Sequence, residues 1–266
     1  MNTIAHSTPV AIASARTPSF SPWRCYWLEA KHELLRLLRT PSFVLPTLLF
    51  PPLFYVLFGV VLAGGRSGGD MGRYLLATYG VFGIMGAALF GFGVSVAVER
   101  ERGFLTLKRA LPMPPGAYLL AKMAMAMVFA AIISLILAVI AVSLAKVSLQ
   151  PAQWALLFAI NVLGVLPFCA LGLCIGAWVS GSAAPAVVNI LYLPMAFLSG
   201  LWLPLQILPA IFAKIAPVWP AYHLGQVALK VVDRDGGGSL ALHLAVLGVV
   251  TVAFFVLARA RLSRSQ

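Results

Sequence analysis

The sequence is poor in charge. Only 10% of its 266 residues are Asp, Glu, Lys or Arg, whereas 61% are hydrophobic, and its mean hydropathy is +0.97. Soluble globular domains carry about 25% charged residues because their surfaces face water. The composition therefore excludes an ordinary soluble domain and predicts an all-α integral membrane protein. Its net charge of +12 is then assigned to contacts with membrane lipids, and no nucleic-acid partner is expected.

Cysteine and the motifs of catalysis are also scarce. Cys25, Cys169 and Cys174 are too few for a disulfide framework and lack the spacing of metal ligands. The phosphate-binding signature G-x-x-x-x-G-K-[ST] is absent, since no Lys-Ser or Lys-Thr pair follows the glycine cluster at 64–69. We therefore expect no catalytic residue, no metal site and no cofactor on this chain. The energy for any directed work must come from another protein.

Long stretches without charge locate the membrane spans. A helix needs about 20 mostly apolar residues to cross a bilayer core of about 30 Å. No charged residue lies between Lys146 and Lys214, a stretch too long for one helix, and a turn signal at 180–185 divides it. The pattern predicts a six-span transmembrane domain at 41–260, with spans at about 43–63, 74–98, 123–145, 153–179, 185–203 and 240–258.

The distribution of Lys and Arg predicts the orientation. Six spans place both termini on one side, and cytoplasmic flanks retain positive charge. With cytoplasmic termini, thirteen of the 19 basic residues lie inside, and the net charge is +9 inside and +3 outside. We therefore expect a multi-pass membrane protein with both termini in the cytoplasm.

The segment before the first span has two parts. Residues 1–21 lack the apolar core of a signal peptide and are expected to form a disordered cytoplasmic tail. Residues 22–40 predict an amphipathic helix lying on the inner membrane surface. Its apolar face comprises Trp23, Tyr26, Trp27, Ala30, Leu34, Leu37 and Leu38, and its charged positions are Arg24, Glu29, Lys31, Glu33, Arg36 and Arg39.

Charged residues are missing from every predicted span, and this absence bears on which class of membrane protein the sequence encodes. A carrier coupled to protons or sodium normally needs an intramembrane carboxylate or an unwound ion site. The sequence disfavours an ion-coupled secondary carrier, although a site built from backbone leaves it open. A non-transport assembly or scaffold protein is the other alternative.

The predicted inner loop at 99–115 begins with acids and ends with bases. This order suits a short helix on the membrane surface, because acids are favoured at a helix N-terminus and bases at its C-terminus. Phe104, Leu105, Leu107 and Leu111 would give that helix an apolar side able to enter a groove on a partner. A solvated cytoplasmic loop explains the composition equally well.

Two segments resemble a known family. The E-R-E-x-G start at 99–103 and the run LPMPPGAYLLAK at 111–122 resemble the inner loop of type-2 ABC transporter permeases, the membrane subunits of many bacterial ABC exporters. The segments FLSGLWLP at 197–204, LP at 208–209 and PVWPAY at 217–222 resemble the end of the family's fifth span and the connection after that span. The likeness covers about 24–261, and it departs at Phe104, where Thr often follows the glycine.

This resemblance implies a permease that pairs with itself or a related permease and with ABC ATPase subunits, which bind ATP and Mg²⁺. The loop from 99 to 114 would be a cytoplasmic coupling helix seated in a cleft of the ATPase, with its acids pairing with bases there. The implied coupling residues are Glu99, Arg100, Glu101, Arg102, Gly103, Phe104, Leu107, Pro112 and Pro114.

The resemblance also implies a re-entrant segment of two short helices between spans five and six, at 203–232, although an interfacial loop fits this sequence as well. The substrate would be an amphiphilic drug, a lipid or a glycan. Candidate pathway residues, for which packing in the bundle or the aromatic belt is the competing role, are Tyr192, Phe197, Ser199, Gly200, Trp202 and Pro204. Strips of small residues predict close helix packing, within the chain or at a dimer seam, at Gly83, Ala87, Gly91, Gly172, Gly176 and Ser180.

Overall fold

The computed structural model describes residues 21–62, 69–110, 114 and 116–264, and the secondary structure in these ranges is entirely helical. The predicted tail at 1–21, apart from Ser21, lies outside the described residues. So does Pro112 of the predicted coupling segment. The all-helical fold class is confirmed for the described chain.

Within the described part of the chain, five helices are long and apolar enough to cross a membrane. They are α2 at Pro41–Val61, α3 at Asp70–Glu101, α5 at Ala117–Ser143, α6 at Pro151–Trp178 and α10 at Leu240–Arg264. The other helices are α1 at Pro22–Leu38, α4 at Phe104–Ala110, α7 at Ala184–Leu198, α8 at Ala210–Ile215 and α9 at Pro220–Val231.

The fifth predicted span, at 185–203, corresponds to the shorter helix α7. Its 15 residues reach only about 22 Å at 1.5 Å per residue. The helix ends because Gly200 has a φ of +75°, a conformation that turns the chain and that favours glycine. The structure therefore shows five long spans, and a sixth crossing by α7 remains a prediction.

Prolines begin several helices and distort one. Pro22, Pro41, Pro151 and Pro220 stand at the first helical position, where the missing N–H is not needed. Pro46, Pro51 and Pro52 lie inside α2, and the helix continues beyond them with wider π-helical turns over Tyr55–Val61. Such a change of winding is one way in which neighbouring turns adapt to lost backbone hydrogen bonds.

Helix α3 forms the centre of the bundle. About four-fifths of its most apolar stretch is buried, whereas most of the corresponding stretch of α10 is exposed. It packs against α2, α5, α6, α7 and α9. We name the two ends of the bundle by this helix, as the Asp70 end and the Glu99 end.

Small residues bring α3 and α6 into backbone contact. A Cβ added to Gly93 would lie 3.0 Å from the Cα and carbonyl oxygen of Gly172, and one added to Gly176 would lie 2.8 Å from the Gly93 carbonyl oxygen. In the strip of small residues on α3, a Cβ added to Gly83 would lie 2.8 Å from Pro51 Cγ of α2. These glycines serve packing within the chain, which is one of the two roles predicted for the strips.

We expect Gly176→Val to destabilise the bundle, because its side chain would meet the backbone of α3 rather than a flexible neighbour. Overpacking of this kind costs about 1–3 kcal/mol. Thermal unfolding in detergent measures the effect as a lower Tm. The matched control is Gly248→Val on α10, where an added Cβ has nothing within 4 Å. Equal Tm values for the two variants would contradict the packing.

Helix α1 packs along α5 and turns Trp23 and Trp27 outward, with 84% and 71% of their surface exposed. The sequence pattern assigned Glu33 to the charged positions of this helix. Glu33 is buried, because α5 supplies Lys122 as an opposite charge.

The segment between α7 and α10 contains two short helices, α8 and α9, with 3₁₀ turns at Leu205–Ile207 and Ala216–Val218. Helix α9 packs against α3, α6 and α10, and its residues from His223 to Leu229 are buried. This half of the segment is therefore part of the bundle and not an interfacial loop.

Candidate functional site

Four charged side chains form a cluster at the Glu99 end, which we call the ion cluster: Glu33, Arg36, Glu99 and Lys122. Lys122 is completely buried. Its Nζ donates to Glu33 Oε1 at 2.5 Å and lies 3.1 Å from Glu99 Oε1. Ser95 Oγ accepts a further hydrogen bond from Nζ at 2.8 Å. One lysine thus ties α1, α3 and α5 together.

The ion cluster is electrically balanced. Arg36 forms ion pairs with Glu33 and Glu99, so two carboxylates face two bases, and the Tyr118 hydroxyl donates to Glu99 Oε2 at 2.6 Å. Burial alone would lower the pKa of Arg36, but the two carboxylates outweigh it and raise the pKa above the usual arginine value. Buried charges are tolerated in proteins when they are paired and hydrogen-bonded in this way.

The acids of the predicted coupling loop make contacts within their own chain. Glu99 is buried among groups of its own chain. Glu101 Oε2 accepts a hydrogen bond from the Gly181 backbone N–H at 2.6 Å, and Arg100 donates to the Val179 carbonyl oxygen at 2.8 Å. All three residues belong to the last turn of α3. Arg100 and Glu101 hold this turn to the connection between α6 and α7, whereas Glu99 holds it to α1 and α5. The surface helix therefore begins after the acids and not with them.

Gly103 separates α3 from the surface helix α4. Its φ of +76° reverses the chain direction, and Arg102 and Gly103 are exposed at the turn. Helix α4 presents two exposed apolar side chains, Phe104 at 44% and Leu107 at 61% exposure. Pro114, just beyond this helix, is half-buried.

One side chain fastens α4 to the rest of the bundle. Lys108 forms an ion pair with Glu29 of α1, and its Nζ lies 4.7 Å from the centre of the Tyr118 ring on α5. A lysine at this distance over an aromatic face is attracted by the ring. Because α1 also joins the ion cluster, α4 is linked through α1 to the ends of α3 and α5.

A second candidate site is an aromatic cavity of about 390 Å³ between α2, α3 and α7. We call it the aromatic cavity. Its aromatic lining consists of Phe43, Phe50, Phe54, Phe82, Phe90, Tyr192 and Trp202, and its polar lining consists of Ser42, Thr47 and Asn189. A volume of this size and an apolar wall with few polar groups are typical of small-molecule sites. None of the described residues that line it is charged.

The predicted pathway residues divide into two groups. Tyr192 and Trp202 line the aromatic cavity, and the Tyr192 hydroxyl donates to the Phe82 carbonyl oxygen at 3.2 Å. The remaining four are absent from its wall. Phe197 packs on Trp202 and Phe212, Ser199 and Pro204 are buried, and the Gly200 carbonyl oxygen accepts a hydrogen bond from Tyr74 at 2.7 Å.

The aromatic residues contributed by α2 and α3 were not anticipated. Phe50, Phe54 and Phe58 recur every four residues in the sequence, a spacing that places them on one side of a helix. In the structure, the Phe54 ring stacks on Tyr79 and on Trp202 with centroids 6.4 and 6.0 Å apart. The four-residue spacing of these phenylalanines is therefore the sequence feature that could have predicted an aromatic wall on α2.

Comparison with known proteins agrees with this architecture. The family described as "ABC-2 type transporter" matches residues 24–232. The chain is 28% identical over 228 residues to "Putative transport permease YvfS" of Bacillus subtilis (strain 168), covering 85% of this chain and 92% of that protein. It is 33% identical over 134 residues to "Nodulation protein J" of Sinorhizobium fredii (strain NBRC 101917 / NGR234), covering 48% of this chain and 51% of that protein. The chain therefore belongs to the ABC-2 type transporter family and is a transport permease of the membrane.

Proposed function

We propose that this permease forms the export pathway of an ABC transporter as a dimer, with itself or with a related permease. Separate ATPase subunits bind ATP and Mg²⁺ and supply the energy. The inner membrane of a bacterium houses the complex, with both termini of the permease in the cytoplasm. The observation that carries the proposal is α4, a short helix between two spans whose Phe104 and Leu107 lie exposed.

Exposed apolar side chains on a helix suit a groove on a partner, where they become buried. Movement of a docked subunit is passed on because Lys108 ties α4 to α1, and Lys122 ties α1 to α3 and α5. Arg102 and Gly103, at the exposed turn, are the remaining contact positions. Glu99, Arg100 and Glu101 act in the permease itself, by holding α3 in place.

The aromatic cavity supports an uncharged or amphiphilic substrate. Its rings offer stacking surfaces, and the hydroxyls and amide of its polar lining offer a few hydrogen bonds. A drug-like amphiphile, a lipid or the lipid part of a glycan carrier fits this chemistry. Helices α8 and α9 re-enter the membrane from the outer side and close the pathway at the Asp70 end.

Proteoliposomes test this function against its alternatives. We expect vesicles with the permease and its ATPase to move an amphiphilic dye when ATP and Mg²⁺ are supplied on the ATPase side, and vesicles with the permease alone to move none. Movement driven by a proton or sodium gradient without ATP would establish a secondary carrier. Absence of movement under all conditions, with an intact complex, would favour a scaffold.

Filling the aromatic cavity should slow export. Asn189 lies in its wall, and Asn189→Trp places a large ring inside. We expect ATP-driven dye export to fall roughly tenfold, since the substrate must fit a site of this volume. The control is Ile190→Trp, because the neighbouring Ile190 is 75% exposed and is absent from the wall. Equal rates for the two variants would remove this cavity from the pathway.

A further inference from the structure

Two buried histidines meet at the Asp70 end. His223 of α9 is 4% exposed and His243 of α10 is 2% exposed. Their Nδ1 atoms are 2.9 Å apart. The linker between the two helices, at 232–239, lies at this end of the bundle, because its Arg234 forms an ion pair with Asp70. The histidine pair therefore fastens α9 to the beginning of the last long helix.

The partners of the other ring nitrogens determine where protons reside. His223 Nε2 is 2.9 Å from the Pro217 carbonyl oxygen, which only accepts, so Nε2 carries a hydrogen. In a neutral ring, His223 Nδ1 then has no hydrogen and accepts. The hydrogen between the rings must belong to His243 Nδ1.

This arrangement leaves one position open for a proton. When both rings are neutral, His243 Nε2 has a lone pair, and it faces the Gly237 carbonyl oxygen at 3.5 Å. These are two acceptors with no hydrogen between them. A single added proton on His243 Nε2 would create a donor toward Gly237 and would also strengthen the bond between the rings, since hydrogen bonds from a charged donor are stronger.

A second added proton has the opposite effect. It would have to reside on His223 Nδ1, which accepts the bond between the rings. Two hydrogens would then point at each other and two positive charges would lie side by side, which disfavours the doubly charged pair. The hydrogen bond between α9 and α10 would be lost, and the two rings would repel each other.

The access route is the glycine linker. Gly237 and Gly238 have φ values of +96° and +86°, and a Cβ on Gly238 would lie 3.1 Å from His243 Nε2. The absence of a side chain lets this exposed backbone cover the ring edge. The Nε2 side of His243 therefore faces the exposed linker.

The other titratable groups of the surrounding elements are paired or uncharged. Lys230 forms an ion pair with Asp235, whose pKa is lowered mainly by that hydrogen bond. Tyr222 contacts both imidazole rings edge-on. At the Asp70 end, the remaining titratable groups on the packed helices and linker include Asp70, Arg73, Tyr74, Tyr79, Asp233 and Arg234; of these, Arg73 donates to the Ser148 carbonyl oxygen and Asp233 accepts from Gln153.

We infer that His223 and His243 form a proton-binding clasp, which holds α9 on α10 with one added proton and releases it with two. Acidification at the Asp70 end would therefore loosen the segment between α7 and α10. This clasp goes beyond the proposed export function and does not depend on it.

Titration of the unmodified protein in lipid nanodiscs tests the clasp. With ¹⁵N-labelled histidine, we expect the pair to take up its two protons in two linked steps as the pH is lowered, because the two rings interact directly. The first step should appear at His243 Nε2. Signals of the other two histidines are assigned with His6→Gln and His32→Gln, which should leave both steps unchanged. Two independent single-step titrations, as for exposed histidines, would overturn the clasp.

Hydrogen exchange provides the structural readout. After correction for the intrinsic pH dependence of exchange, protection of the amides in α9 should fall roughly tenfold through the second step, as expected when a helix is released locally. His243→Gln should remove this fall, and His32→Gln should retain it. Protection that stays constant through both steps would also overturn the clasp. Neither readout requires transport, so failure of the clasp is distinguishable from failure of the export proposal.

Discussion

Replacement of Lys122 by methionine is expected to remove most of the folded protein from the membrane fraction. The variant keeps the length of the side chain but leaves Glu33 and Glu99 buried with only one cation, Arg36, for two carboxylates. Removing one partner of a buried ion pair costs about 3–5 kcal/mol, a large part of the roughly 5–15 kcal/mol that stabilises a typical protein. Yield of monodisperse protein and its Tm are the measurements.

A second substitution should rescue that loss. In the double variant Lys122→Met with Glu33→Gln, one carboxylate and one base remain, so the ion cluster is neutral again. We expect most of the lost Tm to return. Lys31→Met serves as the control, because this lysine of α1 is exposed and its loss should leave the Tm near that of the parent protein. A stable single variant, or a double variant no better than the single one, would contradict the structural role of the ion cluster.

The second large effect is expected from Leu107→Glu on α4. Leu107 is 61% exposed, so the carboxylate remains in water in the free permease and the fold should be unaffected. In the complex the same carboxylate would be buried in an apolar groove, and burial of an unpaired charge is costly. We expect the ATPase to dissociate and ATP-driven export to disappear, with an unchanged Tm.

Ile207→Glu is the matched control for that experiment. Ile207 is 63% exposed and lies in the segment between α7 and α9, away from α4. The same substitution there should leave the ATPase bound. Retention of the ATPase and of export by Leu107→Glu would remove α4 from the coupling mechanism.

The spans could be predicted from sequence because a charged residue inside a bilayer is costly. The gap between Arg73 and Glu99, for example, corresponds to the interior of α3. The length of the helix over the fifth predicted span could not be predicted. It depends on the backbone conformation of Gly200, and the charge-free sequence around this glycine does not mark where the helix ends.

The ion cluster could not be predicted from the sequence, for a different reason. A charged residue beside an apolar segment is ordinarily solvated, and the sequence places Glu33, Glu99 and Lys122 in such positions. Only the packing of α1 on α5 reveals that these three residues are buried together. Likewise, the contact between His223 and His243 depends on how the linker folds back. Helix periodicity describes one helix at a time, whereas these groups depend on which helices meet.

Coupling through α4 is tested most directly by photocrosslinking in intact membranes. A photoreactive amino acid replaces Leu107 in one sample and Ile207 in another, two positions of nearly equal exposure. We predict that the adduct from position 107 contains an ATP-binding ABC subunit, that its yield changes when ATP is added, and that position 207 gives no such adduct. An ATP-binding subunit captured from 207 and not from 107, or from neither position in membranes that export, would contradict the proposed coupling.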